Sequence, residues 1–231
     1  MHIPDGFLDP KMSAGLVGVA LSVVAGCLAK VWHAVSELVP QQAMAAVGNQ
    51  ISNIKNKGKR ILSQKGAQKI IQMGLVGAFV FSAQMFNFPI ASGTSGHFIG
   101  GVLAAVLLGP FAGVIVVSAV LVIQSLFFAD GGLLALGANM INMAVIGSFV
   151  CYFLYAWLKQ KLPEMASIGI AAWVSVVLAA FVCALEVGFS GTIGLKDVII
   201  AMLKVHVFIG IAEAIITVFA VQYLRKNLIG E

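Results

Sequence analysis

The chain has 231 residues, of which 60% are hydrophobic and only 10% are charged, and its formal net charge is +5. Soluble domains carry about 25% charged residues, so this composition leaves too little polar surface for a water-soluble globule. It excludes a soluble enzyme, a nucleic-acid-binding protein and a disordered chain. We therefore expect a multi-pass protein of the cell membrane with one transmembrane domain, residues 1–231.

Apolar runs, taken in chain order, predict the membrane spans. A helix needs about 20 residues to cross a bilayer, and six runs approach that length: 13–31, 73–88, 111–128, 140–158, 167–187 and 199–223. A seventh run, 98–109, is shorter and ends at Gly109-Pro110. It is either a short helix extended by its flanks or a re-entrant piece. Counting it as a crossing predicts an all-α bundle of about seven transmembrane helices.

Basic residues predict the orientation of this bundle, because loops rich in Lys and Arg stay in the cytoplasm. With seven crossings, most of the 14 Lys and Arg residues fall on the side that holds the segment 32–72 and the C-terminus. We therefore expect the N-terminus outside, the C-terminus inside and a cytoplasmic basic loop at 32–72. The start of that loop, with Trp32 and Val35, resembles an amphipathic surface helix. Residues 1–12 and the loop 89–97 then share the outer face.

The first two residues carry the donors of a metal chelate. The Met1 α-amine, the His2 backbone nitrogen and the His2 Nδ1 can reach one ion and close two fused rings. Ni(II) and Cu(II) favour such square-planar nitrogen sets. One position stays open, and His97 in the outer loop is the candidate to fill it. By chemistry alone, an exposed terminal histidine and a loop-packing histidine are equally good interpretations.

Several motifs carry a resemblance to a known family. They are Met-His-Ile-Pro-Asp-Gly-Phe-Leu at 1–8, Asn-Phe-Pro at 87–89, Gly-Thr-Ser-Gly-His at 93–97, Gly-Gly at 100–101, Leu-Gly-Pro at 108–110 and Asp-Gly-Gly-Leu-Leu-Ala-Leu-Gly-Ala-Asn at 130–139. With them the chain resembles the substrate-binding membrane component of cobalt/nickel energy-coupling-factor ABC transporters, the CbiM/NikM type. The resemblance implies that Met1, His2 and His97 bind the transported ion. A square-planar nitrogen site favours Ni²⁺, whereas the similarity to cobalamin-linked members favours Co²⁺.

The resemblance also implies partners for a chain that is not itself an enzyme. These are a transmembrane coupling (T) subunit, cytoplasmic ATPase subunits and a small accessory membrane protein. The chain has no Gly-x-x-x-x-Gly-Lys-Ser/Thr phosphate loop, so we assign ATP hydrolysis to the partners.

Small residues recur every four positions along the first two spans, which lets helices approach closely in lipid. They are Ala14, Gly18, Ser22 and Gly26 in the first span and Gly74, Ala78 and Ser82 in the second. Internal packing of the bundle and a docking surface for a partner subunit are both open interpretations.

Polar residues inside apolar spans need a separate explanation, because an ionised group there costs a few kcal/mol unless it is paired. They are Lys204, His206 and Glu213 in the last span, and Asn139 and Asn142 at the start of an earlier one. We expect a buried polar network that stabilises the bundle, with a route for the released cation as the alternative.

Two other functions compete with a binding component. A stand-alone cation channel or secondary metal transporter would share the same composition. The run Gly93-Thr94-Ser95-Gly96 also fits the pattern of rhomboid intramembrane serine proteases, with His206 as a base. Serine chemistry, however, leaves the Met-His terminus unexplained.

Overall fold

The structure is a computed structural model that describes residues 2–39, 59–85, 87–90 and 94–226. Within these ranges lie the helices α1 (Pro10–Val35), α2 (Gln64–Gln84), α3 (Gly101–Leu108), α4 (Pro110–Phe127), α5 (Leu136–Leu158), α6 (Glu164–Phe189) and α7 (Leu195–Leu224). Two antiparallel hairpins pair β1 (Ser36–Val39) with β2 (Lys59–Leu62) and β3 (Asn87–Ile90) with β4 (Thr94–His97). The protein is therefore mostly helical, and the all-α prediction is wrong for these hairpins.

Among the described residues, five helices are long and apolar enough to cross a membrane: α1, α4, α5, α6 and α7. The protein is thus a multi-pass membrane protein. The short run 98–109 contains only the eight-residue helix α3. At 1.5 Å per residue, eight residues rise about 12 Å, less than half of a hydrocarbon core about 30 Å thick. The number of seven crossings therefore stays a prediction.

The segment 32–72 differs from the predicted loop at both of its edges. Helix α1 continues to Val35, and α2 already begins at Gln64. Ser63 caps α2, because its side chain accepts a hydrogen bond from the Gly66 N–H. The Lys and Gln residues that follow favour a helix although their hydropathy is low. Between the helices lie β1 and β2, while residues 40–58 are outside the described ranges.

Residues 2–9 lie across two interhelical loops at one end of the bundle, which we call the N-terminal end. The Ile3 N–H donates to Asn139 Oδ1 at 2.8 Å, at the start of α5. The Thr192 hydroxyl, between α6 and α7, donates to the Phe7 carbonyl at 2.7 Å. The N-terminus is thereby fixed to the start of α5 and to the loop before α7.

Other helix ends meet at the opposite end of the bundle. Lys69 Nζ, in the second turn of α2, donates to the Leu108 carbonyl at the end of α3 at 2.6 Å. Arg225, just after α7, donates to Glu164 at the start of α6 at 3.0 Å. Leu108 therefore lies at the end of the bundle where α2 begins, although α3 is short.

Helix α3 lies in the centre of the bundle, and residues 101–105 are all buried. A Cβ added at Gly101 would come within 2.5 Å of the Gly147 backbone, so α3 and α5 touch through their main chains. Strand β4 is joined to this buried helix by the short buried segment 98–100. The strand therefore brings its last residue, His97, into the interior.

Candidate metal centre

The residues next to the N-terminus are held by buried hydrogen bonds. Asn139 brackets the peptide of Ile3, because its Oδ1 accepts from the Ile3 N–H at 2.8 Å and its Nδ2 donates to the Ile3 carbonyl at 3.2 Å. The Asp5 carboxylate accepts from the N–H groups of Leu133 and Leu134 at 3.2 and 2.8 Å. These bonds fix the backbone on the C-terminal side of His2.

Strand β4 positions the second predicted histidine. Residues 89–90 and 94–97 of the run predicted as a loop, 89–97, lie in the paired strands β3 and β4, in which Asn87 pairs with His97. The side chain of His97 is fully buried, and its Nδ1 donates to the Phe98 carbonyl at 2.8 Å. A neutral imidazole with its proton on Nδ1 carries its lone pair on Nε2. Metal-binding histidines commonly donate their other ring nitrogen to a carbonyl in this way.

His2 and His97 meet in the interior although 94 residues lie between them in the sequence. Their ring centroids are 4.3 Å apart, and the rings are inclined by 38°. Only 3% of His2 and none of His97 is exposed. Burial lowers the pKa of both imidazoles, so both are neutral at pH 7, which is the form that binds a metal ion.

Asp130 is the partner of His2, a pairing that the sequence did not reveal. The His2 Nδ1 donates to Asp130 Oδ1 at 2.8 Å. Burial by itself would raise the pKa of Asp130, but the overall shift of this pKa is downward, chiefly because His2 donates a hydrogen bond to the carboxylate. The predicted chelate uses the same Nδ1. Binding of an ion would therefore exchange the bond to Asp130 for a bond to the metal.

Side chains alone do not form a metal site here. Within the described ranges, no three side chains of His, Cys, Asp or Glu are grouped so that they could hold an ion. A site at His2 and His97 would therefore need further donors besides the described side chains of these four types. Met1, whose α-amine is the first predicted donor, lies outside the described residues.

The interior polar residues predicted for the last span behave differently from one another. His206 and Glu213 are buried in α7, whereas Lys204 is exposed. Two residues turn a helix by about 200°, so Lys204 points away from the face that carries His206. Lys204 is therefore not part of an interior network, and the prediction is wrong for this residue.

Asn139 and Asn142 are both buried, yet they serve different parts of the bundle. Asn139 holds the Ile3 peptide as described above. Asn142 lies in the π-helical stretch Met140–Val150 of α5 and donates to Glu186 Oε2 at 2.6 Å. Glu186, a buried acid of α6, was missed in the sequence analysis, although an acid in an apolar run is itself a signal.

The two stripes of small residues face outward. All seven of them are exposed: Ala14, Gly18, Ser22, Gly26, Gly74, Ala78 and Ser82. A Cβ added at Gly18, Gly26 or Gly74 would meet no atom within 4 Å. Because these residues are exposed, they do not pack helices together inside this bundle. Both stripes instead present a surface that another helix can approach.

Solved structures define the class to which this fold belongs. Two crystal structures of transition metal transporters, one of them a truncated form, superpose with TM-scores of 0.78 and 0.77 at 34% and 33% sequence identity. Both comparisons cover 98% of this chain, and they cover 93% and 99% of the solved chains. The fold is that of a membrane transporter for transition metals. Residues 2–228 match the CbiM family, the cobalt uptake substrate-specific transmembrane region, and the chain belongs to that family.

Curated relatives carry names from both nickel and cobalt transport. The chain is 37% identical over 226 residues to an Archaeoglobus fulgidus protein named as a fused nickel transport protein, NikMN. That match covers 97% of this chain and 65% of the relative, so the chain spans about two thirds of its length. The chain is also 37% identical to a Haloquadratum walsbyi protein named as a metal transport protein, covering 97% and 89%. A cobalt transport protein CbiM of Acetoanaerobium sticklandii is 28% identical, covering 82% and 67%. These names describe transport rather than catalysis.

Proposed function

We propose that this protein captures Ni²⁺ or Co²⁺ on the extracytoplasmic side of the membrane for ATP-driven uptake. It would act as the substrate-specific component of an energy-coupling-factor transporter. The Met1 amine, the His2 backbone nitrogen and imidazole, and the His97 imidazole would bind the ion. The observation that carries this proposal is the buried pair of His2 and His97, with ring centroids 4.3 Å apart.

The spacing of the two rings supports a shared ion. In a square of four nitrogens, the His2 imidazole and the His97 imidazole occupy neighbouring corners, since the His2 backbone nitrogen lies opposite His97. Two imidazoles at neighbouring corners, each with a nitrogen about 2 Å from the ion, have centroids about 4.5 Å apart. The observed 4.3 Å agrees with that value.

Seven crossings with the N-terminus outside and the C-terminus in the cytoplasm belong to this proposal. Residues 1–12 and 89–97 would then lie on the outer side and 32–72 on the inner side. The hydrogen bonds at the two ends of the bundle support it, since consecutive helices begin at alternate ends. The basic residues Lys69, Lys159 and Arg225 lie towards the end opposite the N-terminus, as expected of a cytoplasmic side.

Uptake driven by ATP requires partners, and we propose a transmembrane coupling subunit, cytoplasmic ATPase subunits and a small accessory membrane protein. The missing phosphate loop supports the ATPase partners. The exposed stripes on α1 and α2 support a helix of the coupling subunit as the neighbour. A relative whose name describes a fusion supports an accessory component.

Metal binding by the purified chain tests the function. We expect it to bind one Ni²⁺ or Co²⁺ per chain in titration calorimetry, and competition between the two ions together with the absorption spectrum of the bound ion identifies the preferred one. Reconstituted alone in vesicles, the chain should bind the ion without carrying it across. Rapid ion flux from the chain alone would contradict the proposal and favour a channel or secondary transporter.

Replacing Gly18 by Leu should separate assembly from metal binding. Gly18 is exposed and has open space where a side chain would begin, so the chain itself should accept Leu. A partner helix that packs against the stripe would be pushed away. We expect the Gly18→Leu chain to bind metal normally but to lose co-purification with the coupling subunit. Val19→Leu, on the neighbouring exposed position, is the control and should assemble normally. Normal assembly of both variants would exclude this stripe as the docking surface.

A further inference from the structure

We propose that Glu213 is a positioning residue that holds the His97 imidazole in the metal centre. This inference rests on the proposed function. Glu213 lies in α7 and is 1% exposed. Its Oε2 accepts from the Ile99 N–H at 2.8 Å, and its Oε1 accepts from the Gly100 N–H at 2.9 Å. The carboxylate thus binds the backbone two and three residues after the proposed ligand.

This backbone needs an outside partner because it belongs to no regular element. Residues 98–100 connect β4 to α3 and are buried, so their N–H groups must find partners inside the protein. A carboxylate presents one acceptor oxygen to each of two adjacent N–H groups, whereas a neutral amide has an acceptor at only one of its two ends. The acid at position 213 therefore matches the two donors that it meets.

The bend at Gly100 limits how far this segment can move. Gly100 has a φ of +71°, which a residue with a side chain rarely adopts. A Cβ there would also lie within 2.9 Å of Val80 and Phe98. Because the segment is packed this closely, a shift of its backbone must be passed on to its neighbours.

A second side chain holds the same peptide from the other side. Gln84, fully buried at the end of α2, donates from Nε2 to the Ile99 carbonyl at 2.7 Å. Ile99 is therefore bound through its N–H by α7 and through its carbonyl by α2. The neighbouring Phe98 carbonyl accepts the Nδ1 proton of His97. Glu213 and Gln84 thus fix the segment that orients the His97 imidazole. In the proposed site, the Nε2 of this imidazole must point at the ion.

The test is a double-mutant cycle with Glu213→Gln and His97→Ala in the full-length chain, using Ni²⁺ and Co²⁺ as probes. We expect Glu213→Gln to weaken metal binding by about 10–100-fold, as outer-shell substitutions do. The absorption spectrum of the ion bound to Glu213→Gln should change towards that of His97→Ala, because the His97 imidazole is no longer held in its ligand position. In the His97→Ala background, Glu213→Gln should cause no further loss, since no imidazole remains to be positioned.

Glu186→Gln is the matched control, because Glu186 is another buried acid that accepts a hydrogen bond, from Asn142. We expect it to leave affinity and spectrum unchanged. Glu213→Asp, which keeps the carboxyl group but withdraws its oxygens, runs through the same cycle and decides the test if Glu213→Gln does not fold. Wild-type binding by the Glu213 variants, or an equal loss with and without His97, would overturn this inference alone. Wild-type binding by His97→Ala would overturn the ligand set of the proposed function as well.

Discussion

Adding Gly-Ser ahead of Met1 is expected to raise the Kd for Ni²⁺ or Co²⁺ by at least about a hundredfold. The proposed chelate closes its rings only when the amine belongs to the residue just before His2. Second-shell changes at metal sites already cost about 10–100-fold in affinity, and this change removes the amine from its place in the first shell. The measurement is titration calorimetry on purified protein whose terminus has been checked by intact mass.

The same two residues added after Glu231 are the control for this extension, and they should leave the Kd unchanged. An unchanged Kd with the N-terminal extension would show that the amine is not a ligand. Two added residues are a better choice than one. A single added residue would make His2 the third residue, and an amine, two amide nitrogens and an imidazole can then complete a nitrogen square by themselves, which suits Ni(II).

Blocking the Met1 amine is a second test of whether this amine binds the ion. Acetylation of Met1 keeps the length of the chain but removes the lone pair that the amine needs for binding. The His2 N–H and the bonds of Ile3 with Asn139 are left in place. We expect acetylated protein to lose metal binding as the extended protein does. Loss in the extended protein alone would point to a steric effect of the extension.

Composition predicted the membrane class and most of the spans, because crossing a bilayer requires long apolar runs and little else. It gave inexact bounds for α2 and α3, for opposite reasons. The start of α2 at Gln64 is polar and is marked by the Ser63 cap rather than by hydropathy. Helix α3 is apolar throughout but has only eight residues, since it is surrounded by protein instead of lipid.

The candidate site, too, could be predicted from the sequence only in part. His2 and His97 could be selected from the sequence, because their donor chemistry is visible in the residue types and the topology assigns them to one side. Asp130 could be noted only as an acid, and Glu213 only as a member of a buried polar network, in both cases without a bonding partner. The hydrogen bonds to His2 and to the backbone after His97 join residues more than 100 positions apart. Such pairings follow from tertiary packing, which a single sequence does not specify.

Replacing His97 by Ala is expected to weaken metal binding by about a hundredfold or more, because it removes one of four nitrogen ligands, whereas outer-shell changes alone cost about 10–100-fold. The terminal chelate should still bind the ion weakly, with an altered absorption spectrum. Ile168→Ala is the control, since Ile168 is also fully buried but lies near the start of α6, at the end of the bundle opposite the N-terminus. Free imidazole should restore affinity to His97→Ala by entering the space of the lost ring. Equal losses in both variants, without rescue, would mean that His97 supports the fold rather than the ion.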